Sequence, residues 1–130
     1  MELQKYNFVP AGNWVKRETV NSGITFELTA LARDRVVYAF VVDNQTKYIG
    51  ICDKDTTSLQ DRMQRYKSLA GGSTNKRVAG KIKQCLADGK SVQIFALKPE
   101  SKFQHVDLNI DLVKGLENPL IERFKPEWNL

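Results

Sequence analysis

Residues 36–51 read VVYAFVVDNQTKYIGI. The first seven form a continuous apolar run, which is typical of a central strand that is covered on both faces. Residues 43–46 (DNQT) are turn formers, and residues 47–51 (KYIGI) indicate the return strand of a hairpin. The sequence therefore predicts a β-hairpin whose first strand is buried in a sheet.

The segments on both sides of this hairpin have regular hydrophobic periods. Apolar residues alternate with other residues over 24–30 and again over 92–97, which predicts two further strands. Residues 53–58 offer N-cap side chains, and residues 70–74 (AGGST) separate two helical patterns, the second of which ends before Gly89. The apolar residues at helical spacing are Leu59, Met63 and Tyr66 in the first helix and Val78, Ile82 and Leu86 in the second.

The two ends of the chain carry weaker patterns. Apolar side chains among the first 23 residues, such as Trp14, predict an edge strand or an ordered arm. The pattern over 108–124 is helical but contains Gly115 and Pro119, and proline is costly in the interior of a helix. A new helix is therefore predicted to begin near Glu117 or Asn118, which places Glu117 at a partly exposed helix start.

Together these elements predict an α+β fold with a small, mainly antiparallel sheet flanked by helices. A length of 130 residues favours one domain, with residues 1–30 as the arm or edge strand and residues 36–129 as the core. An apolar fraction of 42% and a charged fraction of 27% are typical of a soluble globular protein. Without a recognisable secretory signal, a cytoplasmic location and reduced thiols at Cys52 and Cys85 are expected.

The positive charge is concentrated in one segment. The chain carries a formal charge of +5, but residues 60–90 alone contain eight basic and two acidic residues, so the remainder sums to −1. Such a segment is typical of a face that binds a polyanion. A solvated helix face rich in lysine explains the charge equally well when the charge is considered alone.

The hairpin and the segments after it carry a recognisable set of motifs. Tyr38 is followed ten residues later by Tyr48-Ile-Gly50, and the first predicted helix carries Arg62 and, one turn on, Tyr66. The C-terminal segment adds Glu117 and Asn129, and together these residues follow the order of motifs in the GIY-YIG nuclease family. Over residues 36–129 the chain resembles that family, with Val-Val replacing Gly-Ile before the first tyrosine.

This resemblance implies a Mg²⁺-dependent DNA endonuclease, with Mn²⁺ as a substitute metal. By this resemblance Glu117 binds the metal, and Arg62 stabilises the charge that develops on the phosphoryl oxygens. Tyr38 is the first choice for the residue that activates or positions the attacking water, and Tyr48 is the second choice. Because an ordinary phenol has a pKa of about 10, a tyrosine needs a nearby cation to act as a base near neutral pH, and Lys47 is one candidate for that cation. Tyr66 replaces the histidine found in some members, which leaves proton transfer open, and Asn129 is the closing asparagine.

Several alternatives stay open at this stage. Taken singly, the tyrosines are core aromatics, and Arg62 and Glu117 are surface residues. A catalytically inactive nucleic-acid-binding module is the main alternative function, and a protein-interaction domain is a third. Because one active site cuts one strand, a homodimer is a further hypothesis, whereas the target sequence and the choice between DNA and RNA are undetermined. His105, placed in a loop, is expected to have no catalytic role. The residues expected to contact DNA phosphates are Arg65, Lys76, Arg77, Lys81 and Lys83.

Overall fold

A computed structural model describes residues 1–100 and 103–130 of the chain. Within these residues, none of the helices has the length and apolar character needed to cross a membrane. The elements in chain order are α1 (Glu2–Lys5), β1 (Val9–Lys16), β2 (Ile24–Leu28), β3 (Val37–Val42), β4 (Gln45–Ile51), α2 (Leu59–Ser68), α3 (Ser73–Ala87), β5 (Val92–Leu97), β6 (Gln104–His105), β7 (Leu108–Asn109) and α4 (Leu112–Phe124).

The main sheet has five antiparallel strands in the order β2-β1-β5-β3-β4. Every residue of β3 is buried, as the apolar run predicts. Asp43 and Asn44 both have positive φ, 52° and 63°, so the β3–β4 connection has the left-handed backbone that suits a tight hairpin. The predicted α+β fold is confirmed, and β3 is buried as predicted, whereas its hairpin partner β4 lies at the edge of the sheet.

The sheet is covered on both faces, and this arrangement decides which side chains meet. Tyr38 and Phe40 point to the face that carries α2 and α3. Val37 and Ala39, which alternate with them, point to the face that carries α4 and the short α1. The tyrosines of the hairpin and the helix α4 therefore pack against opposite faces of one sheet.

The N-terminal segment differs from its prediction. An edge position is correct only for β2, because β1 lies inside the sheet between β2 and β5. Proline and glycine in β1 argue against an interior strand. The sheet accommodates them with an irregular register between Pro10 and Gly12, where β1 pairs with β5. A local bulge of this kind is not visible in a hydrophobic pattern.

The C-terminal helix is also different from its prediction, which was wrong about the start near Glu117. Helix α4 is continuous from Leu112 to Phe124, with Asp111 as its N-cap and Pro119 in its interior. Its buried residues, including Val113 and Leu120, pack against the sheet, and this packing outweighs the cost of the proline. Glu117 therefore lies in the second turn of a long helix and not at a helix start. His105 likewise lies in the short strand β6, not in a loop.

Candidate active site

Three tyrosines meet on the face of the sheet that carries α2. Tyr38 on β3 and Tyr66 on α2 are fully buried, and their hydroxyl oxygens are 2.7 Å apart. Tyr48 on β4 packs beside both rings and retains 8% exposure. Phe40 stacks on Tyr48, and Trp14 meets Tyr66 edge to face. The three phenols therefore form one rigid cluster with a single member that reaches solvent.

Arg62 projects from α2 onto this cluster. Its Nε and Nη2 both donate to the Tyr38 hydroxyl at 3.3 Å, and Nη2 also donates to the Tyr66 hydroxyl at 3.3 Å. Asn75, a buried residue in the first turn of α3, accepts from the same Nη2 at 3.4 Å. Within the part of the chain that the structure describes, Nη1 has no protein partner. One edge of the guanidinium is therefore anchored while the other remains available.

The available edge of Arg62 belongs to a cleft of about 260 Å³. The cleft contains three cationic side chains and one carboxylate, so its charge suits an anion. Asp53, at the end of the hairpin, is that carboxylate. The lining residues are Ile51, Asp53, Lys54, Thr57, Arg62 and Arg65.

The protonation of the phenols follows from their burial. Burial raises the pKa of Tyr38 well above its ordinary value of 10, although the charge of Arg62 opposes this shift. Burial also raises the pKa of Tyr48 and of Tyr66. The three hydroxyls therefore hold their protons at neutral pH and act as hydrogen-bonding groups, not as ready-made bases.

The cation beside the tyrosines is Arg62 and not Lys47, the candidate from the sequence. Lys47 instead donates to Glu127 at 2.9 Å on the outer side of β4. The direction of its side chain, opposite to that of Tyr48, is the one that strand alternation requires. Arg62 comes from a different element, so no spacing within the hairpin identifies it as the neighbour of Tyr38.

Glu117 is partly buried on α4, and its pKa is raised by burial and by the negative charge of Asp53. Asp53 lines the cleft beside Arg62, so it connects Glu117 with the cationic side of the site. Over residues 1–100 and 103–130 no three His, Cys, Asp or Glu side chains are grouped as metal ligands. Two neighbouring carboxylates fit a hard cation such as Mg²⁺, which keeps much of its water shell.

The closing residues of the chain cover the outer edge of β4. Asn129 accepts from the backbone N–H of Ile49 at 3.0 Å and donates to the carbonyl of Ile49 at 2.9 Å. Trp128 donates its backbone N–H to the Lys47 carbonyl at 2.8 Å. Asn129 therefore holds the strand that carries Tyr48, and its amide faces the backbone and not the cleft.

The five basic residues predicted to contact DNA fall into three groups. Arg65 lines the cleft, and Arg77 donates to the Trp128 carbonyl at 2.7 Å, which ties α3 to the closing segment. Lys76, Lys81 and Lys83 are exposed on α3. Phosphate contact by these residues stays a prediction, with Arg77 partly occupied by a structural role.

Gly50 lets the phenol of Tyr38 cross β4. A Cβ atom at this position would lie 2.5 Å from both Cζ and Oη of Tyr38, and that ring is fixed by its neighbours. We expect Gly50→Ala to lower the free energy of unfolding by about 1–3 kcal/mol, as overpacking does. Denaturant unfolding measures this change.

Gly80→Ala is the matched control for Gly50→Ala. Gly80 lies in α3 with open space around its Cα, so the added methyl group meets nothing. Alanine there should stabilise the protein by about 0.5–1 kcal/mol through helix propensity. Equal and small effects of the two substitutions would contradict the close approach of Tyr38 to Gly50.

Two solved structures match the chain closely in backbone. A glutamate-to-alanine mutant of bacteriophage T4 EndoII matches with a TM-score of 0.71 and 20% identity over 99% of this chain and 96% of that chain. The restriction endonuclease HPY188I, in complex with product DNA, matches with a TM-score of 0.58 and 21% identity over 95% and 76%. No protein-family model and no curated protein sequence matches the chain. The chain therefore has the nuclease fold that its two tyrosine motifs predict.

Proposed function

We propose that this chain is a Mg²⁺-dependent DNA endonuclease that hydrolyses phosphodiester bonds in the cleft beside Arg62. The observation that carries the proposal is the anchoring of Arg62. Tyr38, Tyr66 and Asn75 hold one edge of its guanidinium, and the rest faces a cationic cleft. A fixed guanidinium of this kind stabilises the charge that grows on phosphoryl oxygens during hydrolysis.

Glu117 is the residue that would hold the metal, with Asp53 beside it. When bound there, Mg²⁺ would supply Lewis-acid stabilisation of the negative charge that develops during hydrolysis. Burial and the negative charge of Asp53 raise the pKa of Glu117, and a bound cation would offset both effects. Two carboxylates and several cations then surround one phosphate.

Tyr48 orients the attacking water, because at 8% exposure it is the least buried of the three tyrosines. Its hydroxyl stays protonated near neutral pH and fixes the water by hydrogen bonding. The water oxygen forms a bond to phosphorus and gives up a proton to solvent, the bond from phosphorus to the sugar oxygen breaks, and the sugar oxygen takes up a proton from solvent. Tyr38 and Tyr66 are buried, so they act through Arg62.

DNA is the proposed partner, bound through its phosphates along α3. Lys76, Lys81 and Lys83 are exposed there, and Arg65 continues this basic face into the cleft. Such contacts position a duplex without reading its sequence. HPY188I, which shares the fold, has been solved with product DNA. Since one active site cuts one strand, we propose that two copies of the chain act as a homodimer when both strands are cut at one place.

Cleavage of supercoiled plasmid tests the proposal. The purified protein is expected to nick or linearise the plasmid with Mg²⁺ and to leave it intact with a chelator. Nicked product alone at every protein concentration would contradict the homodimer but not the nuclease. Intact plasmid with Mg²⁺, together with tight DNA binding, would overturn the nuclease and favour a catalytically inactive binding module.

Tyr48→Phe tests the proposed role of Tyr48 in orienting water separately from the role of Tyr38 and Tyr66 in anchoring Arg62. We expect this substitution to lower kcat by roughly 10²-fold, the usual contribution of a group that assists proton transfer or orients water. Its unfolding should change little, because the ring is retained and the Tyr48 edge reaches solvent. Single-turnover cleavage at saturating protein measures the effect. A rate within about twofold of the unsubstituted protein would assign the water to another group.

A further inference from the structure

Arg35, three residues before Tyr38, joins three separate segments of the chain. Its Nε donates to the Cys52 carbonyl at 2.8 Å, and its Nη2 donates to the Asp53 carbonyl at 2.7 Å. The same guanidinium makes a two-point contact with the carboxylate of Asp111, at 2.9 and 2.8 Å. The start of β3, the segment after β4 and the N-cap of α4 therefore meet at one side chain.

The contacts of Arg35 link elements whose side chains act on opposite faces of the sheet. The tyrosine cluster and Arg62 lie on one face, whereas α4 packs through apolar side chains on the other. Glu117 lies near enough to Asp53, which lines the cleft at the end of the hairpin, for the charge of Asp53 to act on it. Apolar packing is non-directional. It does not by itself fix how far α4 is shifted along its axis relative to the sheet, and therefore where Glu117 lies relative to the cleft.

A two-point contact between a guanidinium and a carboxylate does fix direction and distance. Arg35 retains 19% side-chain exposure and Asp111 retains 37%, so the pair is partly open to solvent and acts through its two-point geometry more than through its charge. Asp111 is also the N-cap of α4 and accepts the backbone N–H groups of Val113 and Lys114. The carboxylate that Arg35 holds is therefore fixed rigidly to the helix that carries Glu117.

We propose that Arg35 is a positioning residue that sets Glu117 against the cleft by holding the N-cap of α4 to the backbone at Cys52 and Asp53. The proposal rests on the proposed function of the cleft. Arg35 reaches Asp53 through its backbone carbonyl and leaves the Asp53 carboxylate to the cleft. Its contribution is to keep the carboxylate of Glu117, on one face of the sheet, aligned with Arg62 on the other face.

Asp111→Asn tests the ion pair without removing the helix cap, because asparagine is an equally good N-cap residue. Arg35→Lys is the second variant, since it keeps the charge but loses the planar fork. Arg123→Gln is the matched control. Arg123 lies near the other end of α4 and pairs with Glu2 at 2.8 Å, far along the helix from its N-cap.

Two measurements are made on each variant. The first is kcat for plasmid cleavage beside the affinity for DNA measured in chelator. The second is the orientation of α4 relative to the sheet, from residual dipolar couplings of its backbone amides. Asp111→Asn and Arg35→Lys are expected to lower kcat about 10- to 100-fold, as a displacement of about 1 Å does, with unchanged DNA affinity and a reoriented α4. Arg123→Gln should leave kcat and orientation unchanged.

Full activity in Arg35→Lys would overturn the proposal, because charge alone would then suffice. A fall in kcat with α4 unmoved would also overturn it, since Arg35 would then act on the substrate directly. If the unsubstituted protein cleaves no DNA, the proposed function fails, and the orientation of α4 in Asp111→Asn still decides whether Arg35 holds the helix.

Discussion

Glu117→Gln is expected to abolish metal-dependent cleavage, by at least about 10²- to 10³-fold, while the protein stays folded and binds DNA. The amide keeps the shape of the side chain but removes the charge that would hold Mg²⁺ beside the phosphate. Loss of one group that stabilises transition-state charge has an effect of this size. Single-turnover cleavage with Mg²⁺, beside DNA binding in chelator, measures the two properties separately.

The same substitution has an expected effect on stability that is opposite in sign. The pKa of Glu117 is raised in the folded protein by burial and by Asp53. The folded state therefore holds this proton more tightly than the unfolded state, and stability falls as pH rises from the unfolded pKa through the folded one. At neutral pH without metal, Glu117→Gln removes that cost, so its melting temperature should equal or exceed that of the unsubstituted protein.

Glu122→Gln is the matched control, because Glu122 is exposed on the same helix. It should cleave and melt like the unsubstituted protein. If Glu117→Gln cleaved DNA at the normal rate, the metal would have to be held elsewhere, and the proposed role of α4 in the reaction would be wrong.

Arg62→Lys is expected to have the second large effect, a fall in kcat of about 10²- to 10³-fold. Lysine keeps the charge but cannot bond the Tyr38 and Tyr66 hydroxyls along one edge and a phosphate along another. The buried hydroxyls of Tyr38 and Tyr66 would lose the guanidinium donors that they have at 3.3 Å. A loss of about 1–3 kcal/mol in the free energy of unfolding should follow.

Arg65→Lys provides the comparison for Arg62→Lys. Arg65 lies one turn away on α2 and lines the same cleft, but its side chain is exposed, and the guanidinium that bonds the tyrosine hydroxyls is that of Arg62. Its substitution should leave kcat and stability almost unchanged and weaken DNA binding modestly. Equal losses of kcat in the two variants would show that the cleft needs positive charge in general and not the anchored guanidinium of Arg62.

The sequence predicts the parts of the fold that depend on local pattern. The continuous apolar run of residues 36–42 predicts a buried strand, and the turn residues after it predict the hairpin. Leu59, Met63 and Tyr66 recur at helical spacing, and Ser58 begins that helix with a capping box. Local chemistry was sufficient for both elements.

The errors lie where distant packing outweighs local preference. Pro119 argues for a helix start near Glu117, yet the apolar face of α4 packs against the sheet and carries the helix through the proline. The composition of β1 argues for an edge, yet an irregular register lets it pair on both sides. Neither outcome follows from the residues adjacent in sequence.

The supporting residues of the candidate site were missed for a related reason. Asn75 follows a helix break and resembles an ordinary capping residue, although its amide bridges Arg62 and the Ala70 carbonyl. Arg35 and Asp111 are 76 residues apart in sequence. The only visible signal was an arginine placed directly before a fully apolar strand, where a charge needs a partner.

The hydrogen bonds between Asn129 and Ile49 also affect self-association of this protein through the edges of its sheet. An uncovered β-strand is a template on which another chain can grow, and natural proteins block such templates. Here the closing residues occupy backbone groups of Lys47 and Ile49 that an incoming strand would need. Addition of a strand from another molecule is therefore disfavoured at β4, the edge strand that carries Tyr48. Aggregation by strand pairing would begin at the opposite edge strand, β2.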